Sequence, residues 1–217
     1  YGNSQIFVGF ADGYLAGLDT ATGQTLWAPR KIREKLRFYD IDMAPYVDES
    51  GVVAATYDGK LVSLNRSTGG TQWEAPIGSY GGFLVDKNRL YLSGLNGKLY
   101  AVDRTNGKVL WATPLDKGVG LTPTLVGEYL AVTTSSDPVY LVDPSNGEIV
   151  WTGGLGAGTL SAPVSTGTDG FFYCFSNYGN LYSFEVRKDL RTKKGPETVT
   201  LPSAIYRVVN SATKNAS

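Results

Sequence analysis

The residues able to do acid–base, nucleophilic or metal chemistry are few in this chain. There is no histidine. That removes Ser-His-Asp and Cys-His catalysis, His-ligated zinc and the HExxH metalloprotease arrangement together. The single cysteine, Cys174, lies in the apolar run "GFFYCFS" and reads as a buried, inert thiol. One cysteine allows no internal disulfide, so cysteine usage leaves the compartment open. Asp40 and Asp42, with Asp48 and Glu49 nearby, carry oxygens suited to calcium. They lack the regular ligand ladder of an EF-hand loop, so no metal is expected. Paired carboxylates also serve glycoside hydrolysis, which needs a separation that sequence does not display. The stretch "TGGLGAGTL" (residues 152–160) is glycine-rich but has no GxGxxG spacing and sits between strands. A phosphate loop wants a helix after it, and no GxxxxGK[ST] occurs. No catalytic residue and no cofactor are expected.

A better use of Asp40 and Asp42 is recognition. They end "PRKIREKLRFYDID", which carries Lys31, Arg33, Lys35 and Arg37 ahead of the acidic pair. Charged groups displayed on a rigid rim dock a partner of complementary pattern. The other reading of the pair is a turn with solvated carboxylates. Globally the charges balance, with Lys+Arg and Asp+Glu both at 20. Nothing in that balance attracts nucleic acid or an anionic membrane. No stretch approaches 18 consecutive apolar residues, so no transmembrane helix is expected. The chain starts at "YGNSQIFVGF" without Met and reads as a processed or trimmed product, its N-terminal address out of view.

The elements that position these residues follow from a repeat. "DTATGQTLW" (19–27) recurs as "NRSTGGTQW" (65–73), "DRTNGKVLW" (103–111) and "DPSNGEIVW" (143–151). Trp27, Trp73, Trp111 and Trp151 are spaced by 46, 38 and 40 residues, and Gly23, Gly69, Gly107 and Gly147 by the same steps. A second series, "DGYLAGLD", "DGKLVSLN", "NGKLYAVD", "DPVYLVD" and "GNLYSFE", has five members. A period near 40 with paired turn signals marks propeller blades of four strands each. In the third unit the strands are expected near 83–85, 90–93, 98–102 and 108–113. The opening stretch reads as a turn. Its Asp or Asn accepts hydrogen bonds from turn amides. The Gly supplies a left-handed backbone position. The tryptophan, on the outer strand, fills the gap to the neighbouring blade.

The pattern D-x-x-[ST]-G-x-x-x-W preceded by [DN]-G-x-[LV]-x-[AS]-[LV] resembles the quinoprotein-type propeller repeat. Quinone-cofactor dehydrogenases and the BamB family of outer-membrane assembly lipoproteins share it. "RFYDIDMAPYVD" (37–48) and "GSYGGFLVDKNRLYL" (78–92) resemble BamB segments in more detail. The similarity runs from about Ser4 to Val186 and covers about the second half of a usual member, whose propeller has eight blades. The resemblance implies a non-enzymatic scaffold for outer-membrane β-barrel assembly. It implies a periplasmic, outer-membrane-associated location through a lipid anchor on a cysteine absent from these residues. By the same resemblance Arg37, Asp40 and Asp42 belong to a surface that contacts the barrel-assembly core protein, BamA. No match to the cofactor segments of the dehydrogenases is found.

The fold class expected is all-β: a β-propeller of about five four-stranded blades over residues 1–186. A basic linker (187–196) and a C-terminal tail (197–217) follow. The first unit lacks its innermost strand and the last its outermost. The tail strings "TVTLP" and "SAIYRVV" could supply both, closing the chain's own ring or exchanging into a homodimer. A fragment of a longer propeller is the third alternative. A second functional reading also stands: a binding module for a carbohydrate or other small ligand, using Tyr14, Tyr57, Tyr100, Tyr140 and Tyr182 in near-equivalent clefts.

Overall fold

A computed structural model describes residues 4–32, 41, 43–57, 59–79, 81–166 and 170–186. Among them the regular structure is all strand, as the glycine-rich, β-branched and aromatic composition favours. The chain divides into two compact units, residues 1–112 and 113–217.

The first unit holds three antiparallel sheets. One joins β1 (Gln5–Gly9), β2 (Tyr14–Asp19) and β3 (Arg30–Lys31) in that order. The next joins β4 (Tyr46–Val47), β5 (Val52–Ala55), β6 (Leu61–Leu64) and β7 (Thr71–Ala75). The third joins β8 (Leu84–Asp86), β9 (Arg89–Gly94), β10 (Lys98–Asp103) and β11 (Val109–Pro114). The unit boundary falls inside β11. In the second unit β12 (Thr124–Val126), β13 (Tyr129–Val132), β14 (Val139–Val142) and β15 (Ile149–Gly153) form one meander. The strands β16 (Val164–Ser165), β17 (Phe171–Phe175) and β18 (Leu181–Glu185) form another. The third sheet's strands lie within a residue or so of the expected bounds. The first sheet lacks an inner strand and the last an outer one, among the described residues. The linker and tail, 187–217, and therefore ring closure, lie outside them.

Strand alternation decides which seam each side chain fills, because successive residues point to opposite faces. In β5, Val52 and Ala54 join Leu15, Trp27, Val62 and Leu64 in the core against the first sheet. Val53 and Ala55 join Leu61, Trp73, Leu90, Leu92 and Val102 in the core against the third. Both faces are buried, so these strands read as continuous apolar runs. In the second unit Tyr129, Ala131, Val139 and Leu141 pack with Phe172, Cys174 and Phe184. Each fully buried Val or Leu among them contributes about 1.5–3 kcal/mol.

The outer strands carry one further device. Leu64 faces Thr71, but the next residue, Ser63, faces Trp73. Likewise Val142 faces Ile149 and Leu141 faces Trp151. One extra residue therefore bulges just before the tryptophan, bending the strand and turning the ring. Trp27 departs from the expectation of an outer-strand position. Its ladder runs from a bridge at Thr25 to β3, and Trp27 falls in the gap between them.

Candidate functional site

The repeated turn is built the same way four times. Asp19 Oδ1 accepts the amides of Ala21 and Thr22 at 2.9 and 2.8 Å, and the Thr22 hydroxyl at 3.0 Å. Asn65 Oδ1 accepts from Ser67 and Thr68 at 3.0 Å each. Asp103 and Asp143 accept the Thr105 and Ser145 amides, both at 2.8 Å. The amides of Gly23, Gly69, Gly107 and Gly147 each donate to the carbonyl four residues back at 2.8 Å. These glycines hold φ of 70°, 67°, 74° and 79°, the left-handed region that a Cβ disfavours. Hydrogen bonds from Thr22 hold the Asp19 carboxyl below its ordinary value. The Thr105 hydroxyl, then its amide, do the same for Asp103. In all four turns an Asp or Asn oxygen is directed into its own turn, which answers as structure.

The turn also receives a neighbour. Trp27 donates its indole N–H to the Arg66 carbonyl at 3.1 Å, and Trp73 donates to the Arg104 carbonyl at 2.9 Å. Their rings lie against Gly69 and Gly107, where an added Cβ would sit 2.6 and 2.5 Å from ring carbons. Gly69 and Gly107 thus meet two demands at once, a left-handed φ and a ring lying on the backbone. Sequence reasoning gave the Gly and the Trp separate tasks; the structure joins them across adjacent blades.

A polar seam runs beside these contacts. Arg66 donates through Nε to Gln5 Oε1 at 2.9 Å and through a terminal nitrogen to the Asp48 carbonyl at 3.3 Å. Asp48 pairs with Arg104, whose guanidinium lies 6.0 Å from the Tyr46 ring. The other Asp48 oxygen accepts the Ser50 and Gly51 amides at 2.7 and 3.2 Å. Its lone pairs are thereby engaged within the protein. Gln5, Glu49, Arg66 and Ser67 line an open depression of about 320 Å³ above this seam. Sequence reading missed Arg66 and Arg104. The available signal was Arg at the second place of "NRSTG" and "DRTNG" but not of "DTATG" or "DPSNG".

Arg37, Asp40 and Asp42 lie outside the described residues. Ile41 and Met43, each 5% exposed, are buried in the first and second cores of unit 1. Among the described residues no group of three or more Cys, Asp or Glu side chains is placed to hold a metal. In the glycine-rich 152–160 stretch, the Leu155 amide goes to Asp137 Oδ1 at 2.6 Å and the Thr159 amide to the Thr134 carbonyl at 3.0 Å. Those donors face protein, not an anion. Asp137, with φ of 78°, stands where the other repeats have glycine. Cys174 is buried and its thiol is pushed up to about 12 by desolvation, which keeps it protonated and inert.

The repeat tyrosines do not line open clefts as a set. Tyr140 is fully buried and accepts the Asp116 amide at 3.0 Å. Tyr100 is 8% exposed and accepts from Asn96 at 2.7 Å. Tyr182 donates to the Leu155 carbonyl at 3.3 Å. Three of the five staple loops, Tyr100 locally and Tyr140 and Tyr182 across 24 and 27 residues.

Four-stranded meanders seamed by tryptophans that rest on turn glycines define a β-propeller of the quinoprotein-type repeat. A family model described as "Outer membrane protein assembly factor BamB" matches residues 1–113 and 96–192, and the chain belongs to that family. The outer membrane protein assembly factor BamB of Legionella pneumophila (strain Paris) is 31% identical over 188 residues. That match covers 83% of this chain and 48% of the relative, so the chain spans about half of that relative's length. The crystal structure of BamB from Moraxella catarrhalis superposes with a TM-score of 0.70 at 19% identity, over 84% of this chain and 58% of that one. A quinohemoprotein alcohol dehydrogenase from Comamonas testosteroni also superposes, with a TM-score of 0.63 at 13% identity, over 84% and 40%. At such identities the two superpositions show the fold alone, and the fold is common to an assembly factor and an enzyme.

Proposed function

We propose that this chain is a non-enzymatic docking scaffold for outer-membrane β-barrel protein assembly, acting at the periplasmic face of the outer membrane. Family membership carries this reading. It works by rigid display. The blades hold a charged rim segment bearing Arg37, Asp40 and Asp42, which docks a periplasmic domain of the barrel-assembly core protein, a BamA-like component. Ile41 and Met43, the sequence neighbours of the acidic pair, are each buried, which supports a fixed place for this part of the rim. The edge of β1, with no inner strand beside it among the described residues, offers a second contact mode by strand addition. Oδ1 of Asp19 and of Asp103 and both carboxylate oxygens of Asp48 are already committed within the protein, which favours a structural over a catalytic role for these three carboxylates.

The test uses the full chain as bait in solubilised cell envelope, read by mass spectrometry, beside the Asp40→Ala/Asp42→Ala variant. Capture of the core assembly protein by the unaltered chain, and loss of that capture in the variant, is the expected outcome. Equal capture by both would move the docking surface elsewhere. No envelope partner with either would leave the family likeness conveying fold without this role.

A further inference from the structure

The connection from β15 to β16 is glycine-rich, a composition that ordinarily leaves a backbone loose. Here it is held in place. Leu155 is bonded to Asp137 and Thr159 to Thr134. The Asn177 amide also donates to the Gly158 carbonyl at 2.9 Å, and its side-chain amide to the Ala157 carbonyl at 2.9 Å. The Thr133 hydroxyl donates to the Ser161 carbonyl at 3.1 Å, and the Ser161 amide to the Thr159 hydroxyl at 3.0 Å. The connection is thereby fastened to the β13–β14 turn and to the β17–β18 turn, all within the second unit.

This fixed platform displays two large apolar side chains. Leu160 is 79% exposed and Tyr178 75%, the highest values among the exposed large hydrophobics of the described residues. In sequence they flank the Gly158–Asn177 hydrogen bond, Leu160 two residues beyond Gly158 and Tyr178 one beyond Asn177. Neither belongs to a strand, so neither is part of the sheet faces along which blades pack. An exposed apolar side chain on a loose loop is ordinary. On a backbone already ordered by hydrogen bonds, two of them offer apolar contact with little further loss of conformational freedom on binding. The surroundings are uncharged: residues 152–161 and 176–180 contain no Asp, Glu, Lys or Arg. Asp137, a carboxylate that the connection touches, is used by it through Oδ1. Such a surface does not select a partner by charge.

We propose that Leu160 and Tyr178 form a docking site for a client chain of β-barrel assembly. The occupant is an extended, uncharged segment with apolar residues at alternate positions, not yet closed into its barrel. The choice of client rests on the barrel-assembly reading; the fixed apolar surface does not. A strand of a membrane β-barrel alternates lipid-facing apolar residues with polar ones over about ten residues. Until the barrel closes, that apolar row stands in water. A surface of uncharged apolar side chains covers it without burying a charge. Docking of the core assembly protein through Arg37, Asp40 and Asp42 and docking of a client through Leu160 and Tyr178 would then use different residues and different forces.

The probe is a fluorescein-labelled peptide of about ten residues in which Leu and Tyr alternate with Ser and Gln, titrated with the full chain. Saturable binding that changes little between about 0.05 and 0.5 M salt is expected. Leu160→Ser with Tyr178→Ser should weaken binding at least roughly tenfold, as loss of apolar anchors does. Its thermal midpoint should stay unchanged, because both side chains are exposed. Absence of saturable binding up to millimolar peptide, or equal binding by the double variant, would overturn the proposal. So would equal binding of a peptide of the same composition with its apolar residues in one block, since the alternation would then play no part. Partition of the unaltered chain, but not of the variant, onto phosphatidylethanolamine–phosphatidylglycerol vesicles would overturn it too, the occupant then being a lipid surface. The two readings fail separately. Peptide binding by a chain that captures no core assembly protein would still support this surface, whereas capture without peptide binding would remove this inference alone.

Discussion

At the residue scale, the four turn glycines are alike in φ and unlike in surroundings. Gly107→Ala imposes left-handed strain and also drives a methyl into Trp73. The two effects together should cost about 2–4 kcal/mol. Gly23→Ala carries only the strain, about 1–2 kcal/mol. Chemical denaturation of the two variants checks the ranking, and equal losses would mean that ring contact adds nothing. The turn carboxylates add a pH dependence. Asp19 and Asp103 are held below their ordinary values by hydrogen bonds from Thr22 and Thr105. A lowered carboxyl contributes stability above its unfolded value and loses it as pH falls through the folded one. The thermal midpoint should therefore drop on acidification below the ordinary carboxylate range. Asp19→Asn with Asp103→Asn should flatten that drop while keeping the turn, because Asn65 makes the same turn uncharged. Thermal scans across the acid range compare the two.

At the element scale, the unit of stability is the seam between blades. Trp73 illustrates it: a bulge after Thr71 sets its direction, its ring joins the core of the second and third sheets, and its N–H reaches Arg104. Trp73→Ala should cost about 3–5 kcal/mol. Trp73→Phe keeps most of the area but loses the N–H donor, and should cost less. Native-state hydrogen exchange should show the loss at both β4–β7 and β8–β11, because the ring belongs to both. Loss confined to one sheet would place the ring's contribution within a single blade. Strand number and order were legible from the 40-residue period and from alternation. The displacement of Trp27 from its ladder was not, since a two-residue excess between Thr25 and Arg30 leaves no mark on the hydrophobic pattern.

At the scale of the whole molecule, docking through a rim of charged residues carries a salt signature. If Arg37, Asp40 and Asp42 dock the core assembly protein as proposed, capture should weaken steadily between about 0.05 and 0.5 M salt, over which the screening length shortens severalfold. Salt-independent capture would point instead to an apolar or strand-edge contact. The repeat spacing, the turn chemistry and the both-faces-apolar strands determined the propeller class from sequence alone, because those are local and periodic demands on the chain. Residues 37–48 and 78–92 pointed to the BamB family through their particular order of residue types. What only the tertiary structure decided is contact between distant residues: that Trp27 and Trp73 rest on the glycines of the following turn, that Asp48 is taken up by Arg104, that Tyr140 staples a loop, and that among the described residues Gly69, Gly107 and Gly147 are buried while Gly23 is exposed. Each contact joins residues 24 to 56 positions apart, and sequence periodicity carries no term for what lies on the far side of a sheet.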